Sequence, residues 1–192
     1  TYKIPLVIHR RNLSDPYLFI PTYHTDRQDI LTAQILHRQN QVKAVYIART
    51  ILKARLTAMT THIPISHSTY RRLASLRSLD ELRSLEAQVT KRYWHQYYKE
   101  LGLEGTIRRD RHVPVNQALN AGSLFLSGVI LRWVLYHRLS PQHGFMHVQS
   151  SYPSLVFDLM EPFRFIIERA VQQAHEQAPD TTSLVAYTIE IM

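Results

Sequence analysis

From residue 25 onward the apolar residues of this 192-residue chain recur at helical spacing, and that periodicity limits the fold more than any other feature. Thr25 or Asp26 can cap a first helix carrying Ile30, Ala33 and Leu36 on one face. A second stretch aligns Val45, Ala48, Ile51, Leu52, Arg55 and Met59. SLDE at 78–81 is a capping box that opens a helix running to about Leu101, where Gly102 can end it. A basic, turn-prone loop at 104–112 leads to an apolar helix from about Val115 to Leu139, broken in places by Asn120, Gly122 and Gly128. After SPQHG and the polar QSSYPS, a last helical segment spans about 154–177. Ahead of all this, IPLVIHRR (4–11) and YLFIPTY (17–23) flank the turn-like NLSDP and read as two short strands. The expected fold is mostly α, with a short β stub over 1–24 and a helical domain over 25–192. Two strands alone are marginal, and the chain opens on Thr1 rather than Met. The stub is therefore expected to be the end of a larger β domain, and the chain a part of a longer polypeptide.

Composition excludes several chemistries. With no cysteine there is no disulfide framework, thiolate zinc site or cysteine nucleophile. The five glycines, at 102, 105, 122, 128 and 144, assemble neither a phosphate-cradling P-loop nor a dinucleotide fingerprint. The formal charge is +8, and 18 of the 23 cations are Arg, whose planar fork suits phosphate oxygens. A polyanionic partner follows, and nucleic acid fits it better than a membrane surface. The charge-free stretch 112–131 holds His112, Asn116, Gln117 and Asn120, so no membrane span is assigned. No secretory signal opens the chain, and a cytoplasmic location is expected.

Three places put acid or imidazole where apolar residues belong. Glu86 follows Leu82 by four residues and precedes Val89 by three, which sets its carboxylate in a buried stripe. It must then be paired, hydrogen-bonded or metal-bound, and a salt bridge to an arginine is an ordinary solution. Asp158 and Glu161 stand three apart on one helical face, where two carboxylates repel unless a cation lies between them. Pro162 complicates that geometry, and an acidic first turn is the plain alternative. His147 ends the short apolar run after Gly144 and reads either as a satisfied core histidine or as a ligand. One imidazole with two or three carboxylates is the donor set of Mg²⁺ or Mn²⁺, the nitrogen favouring Mn²⁺.

These residues carry a resemblance. GFMHVQSSYPSLVFDLMEPFR (144–164) resembles the signature of the CRISPR-associated spacer-acquisition integrases, the Cas-one protein family: a glycine-aromatic-x-His run followed by SLxxDLxExFR. PVNQALNAG (114–122) is similar to that family's Asn-containing helix entry, and LEAQVTKRYW (85–94) to its glutamate helix. The chain departs from the family at Arg83–Leu85, where a Gly-rich lead is usual, and at Ser123, where an aromatic is common.

The resemblance implies that Glu86, His147 and Glu161 bind a divalent metal, Mg²⁺ or Mn²⁺, with Asp158 beside them in the same catalytic site. It implies an integrase and endonuclease of CRISPR adaptation, in which the 3′-OH of a short DNA fragment attacks a phosphodiester at the CRISPR repeat. Lys91, Arg92, Arg108, Arg109, Arg111, Arg132 and Arg164 are expected to hold DNA phosphates, against the simpler reading of a solvated basic face. Arg164, three after Glu161, can instead pair with the acids and orient them. Tyr93, Trp94, Tyr97 and Tyr98 divide between core and base-stacking roles, with core favoured for Tyr93 and Trp94. Expected partners are DNA, a second copy in a homodimer, the small Cas-two subunit and a fused reverse transcriptase. A non-catalytic basic DNA-binding scaffold is the alternative.

Overall fold

A computed structural model describes residues 5–8, 17–19, 29–147, 152–178 and 180–192. Two strands, β1 (Leu6–Ile8) and β2 (Tyr17–Phe19), pair antiparallel with Leu6 opposite Phe19 and Ile8 opposite Tyr17. Helices α1 (Asp29–Gln39), α2 (Gln41–Met59), α3 (His67–Ser75), α4 (Leu79–Glu100), α5 (Pro114–Tyr136) and α6 (Ser154–Met160) follow. A 3₁₀ turn (Glu161–Phe163) then joins α7 (Arg164–His175), and α8 (Thr181–Ile191) ends the chain. The mostly α fold with a short β element is as the periodicity predicts. The expected caps Thr25 and Asp26 lie outside the described residues.

Helix α5 is the axis of the bundle, packing on α6, α7 and α8, while β1 leans against it. Alone among the described helices it is long and apolar enough to cross a bilayer. Its core face buries Val115, Ala118, Leu119, Leu126, Leu131 and Val134, while Phe125, Val129, Trp133 and Tyr136 stay exposed. Contrary to expectation it runs unbroken past Asn120, Gly122 and Gly128. Gly122 has a packing reason, since a Cβ there would meet Ile167 Cγ2 of α7 at 2.6 Å.

The expected 154–177 helix is instead three pieces. Pro162 cannot continue the α6 hydrogen-bond ladder, so Glu161–Phe163 tightens to 3₁₀ before α7 resumes. The two carboxylates reach different partners, Asp158 the 145–147 loop and Glu161 the side chains of Arg164 and Arg55. Helices α3 and α8, which the apolar pattern did not reveal, are capped by Ser66 and Asp180.

Helix α4 begins as predicted. Ser78 Oγ accepts from Glu81 N at 3.2 Å, and Glu81 Oε2 accepts from Arg77 N at 2.8 Å and Ser78 N at 2.9 Å. Those bonds, the Arg77 amide first, hold the Glu81 carboxyl below its ordinary range. A group depressed in the folded state stabilises above its unfolded pKa and loses that contribution as pH falls through the folded value. Glu81→Gln is therefore expected to lower the urea midpoint at pH 7, the gap to the parent closing as pH drops below about 4. A gap that is the same at every pH would show that the bond to the ionised carboxylate contributes nothing.

Candidate active site

Three elements converge beside α2. Along α4 the fully buried stripe is Leu82, Leu85, Val89, Tyr93 and Tyr97. Glu86 lies on its flank, half-buried rather than fully inside. Among the described residues its carboxylate has no hydrogen-bond or ion-pair partner. Burial, then the neighbouring Glu161 carboxylate, pushes its pKa up, while His147, Arg55 and Arg164 pull the other way. Glu86, Glu161 and His147 are thus within electrostatic reach of one another although they come from α4, the 3₁₀ turn and the loop before α6.

The loop that carries His147 is folded around Asp158. The wholly buried Asp158 carboxylate accepts from the amides of Phe145 (2.5 Å) and Met146 (3.0 Å) on Oδ2. On Oδ1 it accepts from the His147 amide (2.9 Å) and pairs with Nδ1 (2.7 Å). This fixes the ring and, among the described residues, leaves Nε2 without a partner. Burial opposes the imidazolium, but the Asp158 bond and charge overcome it and raise the His147 pKa. Gly144 admits the close approach of α6: a Cβ would stand 2.7 Å from the Ser154 carbonyl carbon. Asp158 has all its acceptor positions filled from its own loop, so it holds the histidine and does not face the cluster as a free donor.

Glu161 is held from two sides, by Arg164 Nε at 2.7 Å and Arg55 Nε at 3.6 Å. Arg55 is itself buried, donating from Nη2 to Glu168 Oε1 at 2.8 Å and from Nη1 to Oε2 at 3.3 Å. Tyr93 donates to Glu168 Oε2 at 2.5 Å, Tyr97 donates to the Glu168 carbonyl at 2.9 Å, and the Arg55 guanidinium lies 5.1 Å from the Tyr93 ring centre. Arg55, Glu168 and Arg83 are not among the site residues expected from the sequence. An arginine in register with Ile51, Leu52 and Met59, and a glutamate in register with Val171, were the available signals.

Arg83 stands one turn before Glu86 on α4. Its Nε and Nη2 donate to the Met146 carbonyl at 2.9 and 2.8 Å, next to His147. Among the described residues these are the only hydrogen bonds from α4 to residues 144–147.

Of the expected phosphate contacts, Arg164 joins the cluster, and Arg108 lies close enough to Arg164 to be destabilised by it after burial. The Arg108 guanidinium lies 5.4 Å from the centre of a Trp94 ring. Lys91, Arg92, Arg109, Arg111 and Arg132 are exposed, with no bond to the cluster. Lys91 and Arg92 border a cleft of about 500 Å³ with Ile63, Pro64 and His95. Tyr93, Tyr97 and Tyr98 are core, and Tyr98 donates to Asn116. Among the described residues no three His, Asp or Glu side chains close around one point as a metal would require. The donor chemistry nonetheless fits a divalent cation: two carboxylates, one of them unpartnered among the described residues, lie within electrostatic reach of each other and of an imidazole.

Fold and site define a basic, mostly helical protein built around a carboxylate–imidazole cluster bracketed by arginines. The family described as CRISPR associated protein Cas1 matches residues 1–181. The chain belongs to that family. It is 36% identical over 123 residues to CRISPR-associated endonuclease Cas1 1 of Saccharolobus solfataricus, a match covering 59% of this chain and 35% of that protein. It is 33% identical over 116 residues to CRISPR-associated endonuclease Cas1 2 of Pyrobaculum aerophilum, covering 60% and 39%. The chain thus matches little more than a third of the length of these curated relatives. Its fold is that of a casposase bound to integration product, with a TM-score of 0.77 at 19% identity over 98% of this chain and 67% of the other. A CAS1 protein from Thermotoga maritima superposes at 0.74 and 18% identity, over 97% and 68%.

Proposed function

We propose that the chain is the catalytic helical part of a divalent-metal-dependent DNA integrase and endonuclease of CRISPR adaptation. The observation that carries this reading is that Glu86, His147 and Glu161, from three separate elements, lie within electrostatic reach of one another. Glu86, Glu161 and the Nε2 of His147 would hold Mg²⁺ or Mn²⁺. Such an ion neutralises charge on a phosphodiester under in-line attack and assists the leaving oxygen. The chain's own residues orient the donors: Asp158 sets the His147 tautomer, and Arg55 and Arg164 aim Glu161. Arg108 and the exposed arginines would hold DNA phosphates, so that the 3′-OH of a captured fragment lies in line with the repeat. DNA in the cytoplasm, a second copy and a Cas-two subunit are the partners this reading takes, and among solved structures of similar fold are a Cas1–DNA complex and a partial Cas6-RT-Cas1–Cas2 complex.

The test is a Mn²⁺ titration on branched and repeat-bearing DNA. Strand transfer and cleavage that saturate with Mn²⁺ are expected. Mn²⁺ that neither binds nor supports reaction, while DNA binding persists with a steep salt slope, would establish the basic scaffold instead.

Arg83 ties the helix of Glu86 to the loop of His147. Arg83→Gln is expected to weaken Mn²⁺ binding and lower the strand-transfer rate by about 10–100-fold, as for other residues that orient ligands. Calorimetry with Mn²⁺ checks it, alongside DNA anisotropy across a salt series. Unchanged Mn²⁺ affinity with a DNA salt slope reduced by about one would make Arg83 a phosphate contact instead.

A further inference from the structure

A second cationic site lies away from the acid cluster, between α2 and α3. The cavity, about 460 Å³, is lined by Tyr46, Arg49, Thr50 and Lys53 of α2 and by Tyr70 and Leu73 of α3. The four α2 residues fall at i, i+3, i+4 and i+7, a single helical face. Arg55 is six residues past Arg49, roughly 9 Å along the axis and turned well away, so the face toward Glu161 is a different one.

The polar groups of this cavity are arranged for an acceptor the protein does not supply. Arg49 Nη2 donates to the Leu76 carbonyl at 2.6 Å, which fixes the guanidinium across the end of α3. Its Nε is, among the described residues, the one buried side-chain polar atom with no hydrogen-bond partner. A buried unmet donor is costly, and the guanidinium that carries it brings a positive charge to the cavity lining. The Lys53 ammonium and the phenols of Tyr46 and Tyr70 also have no partner among the described residues, and Tyr46 is 66% exposed at the mouth. Among the described residues no carboxylate lines the cavity to neutralise the two cations. An anchored guanidinium, an exposed ammonium, two unpartnered phenol hydroxyls and an apolar wall at Leu73 match a tetrahedral, multiply accepting anion.

We propose that the α2–α3 cavity is a phosphoryl-binding site, distinct from the Glu86–His147–Glu161 cluster, with Lys53 and Arg49 as its charged anchors. The phosphoryl group has two sources, the backbone of bound DNA or a soluble phosphate, and the two separate experimentally. Lys53 is exposed and makes no side-chain bond within the fold, so Lys53→Ala leaves folding intact, and Tyr70→Phe removes one donor without changing shape. Both are compared with the parent chain by fluorescence anisotropy on duplex DNA over a salt series, and by calorimetry with inorganic phosphate. The anisotropy and phosphate calorimetry are done in EDTA, so they do not depend on whether the acid cluster holds a metal, and strand transfer is assayed separately with Mn²⁺.

If the source is DNA, the slope of log affinity against log salt falls by about one in Lys53→Ala, and affinity at low salt drops several-fold. In that case strand transfer at saturating DNA stays at the parent rate, which separates this site from the catalytic one. If the source is soluble, the DNA slope is unchanged, and the parent binds inorganic phosphate where Lys53→Ala does not. A parent and two variants that agree in DNA slope, with no phosphate heat in any of them, overturn the proposal.

Discussion

Glu86→Gln should remove strand transfer by at least about a thousandfold while the protein remains folded. The size follows from what a divalent ion contributes to phosphodiester attack, several kcal/mol of charge stabilisation at 1.36 kcal/mol per tenfold in rate. The retained fold follows from the packing: Glu86 is half-buried on the flank of the α4 stripe and has no partner among the described residues to lose. Its carboxyl is already disfavoured by burial and by Glu161. Replacing it with a neutral amide of the same shape removes that repulsion, so the thermal midpoint should hold or rise as the rate collapses. Rate assays and thermal melts on the same preparation check both. A variant with parental strand transfer would remove Glu86 from the ligand set, and a variant that unfolds would mean the carboxylate supports the fold.

Arg55→Ala should have the largest effect on stability, about 3–5 kcal/mol, because it strands Glu168 as an uncompensated buried charge. That is a large share of the roughly 5–15 kcal/mol that holds a domain together. Arg55 is 2% exposed and joins α2 to both the 3₁₀ turn and α7 through Glu161 and Glu168. Tyr93 shares the same Glu168 oxygen, so the network has to be removed as a unit. The combination Arg55→Met, Glu168→Leu and Tyr93→Phe is expected to recover most of the lost stability, since an apolar replacement of a buried ion pair is often neutral. It should not recover strand transfer, because Glu161 then keeps only Arg164 to aim it. Urea denaturation and single-turnover rates separate the two roles. Full activity in the triple variant would show that Arg55 serves the fold alone.

Helices α2, α4 and α5 were legible because their apolar stripes are long and their ends are marked, by SLDE and Gly102 in the case of α4. Gly102 does take a left-handed φ of 68° there. Helices α3 and α8 were missed: nine and eleven residues long, they lack a long apolar stripe and were signalled only by Ser66 and Asp180. The single helix expected over 154–177 failed at Pro162, which was seen but whose outcome, kink or break, depends on what the freed backbone meets.

Among the site residues, Glu86, His147, Asp158 and Glu161 stood out because a charge or imidazole at an apolar position must find a partner. Which partner it finds is a question of three dimensions. Asp158 could be read as one more acid in the cluster until its oxygens were seen to be filled by the amides of 145–147. Arg55 looked like one arginine among eighteen until α7 brought Glu168 against it.

The sequence by itself determined the helical class, the cationic surface and the residue types that carry chemistry, since periodicity and charge are local properties of the chain. Only the tertiary structure decided which carboxylate is free and which is spent on its own loop, and which arginines are locked in the core. Those outcomes depend on side chains more than a hundred residues apart, such as Arg55 and Glu168, meeting where water is excluded, and no local pattern encodes that distance.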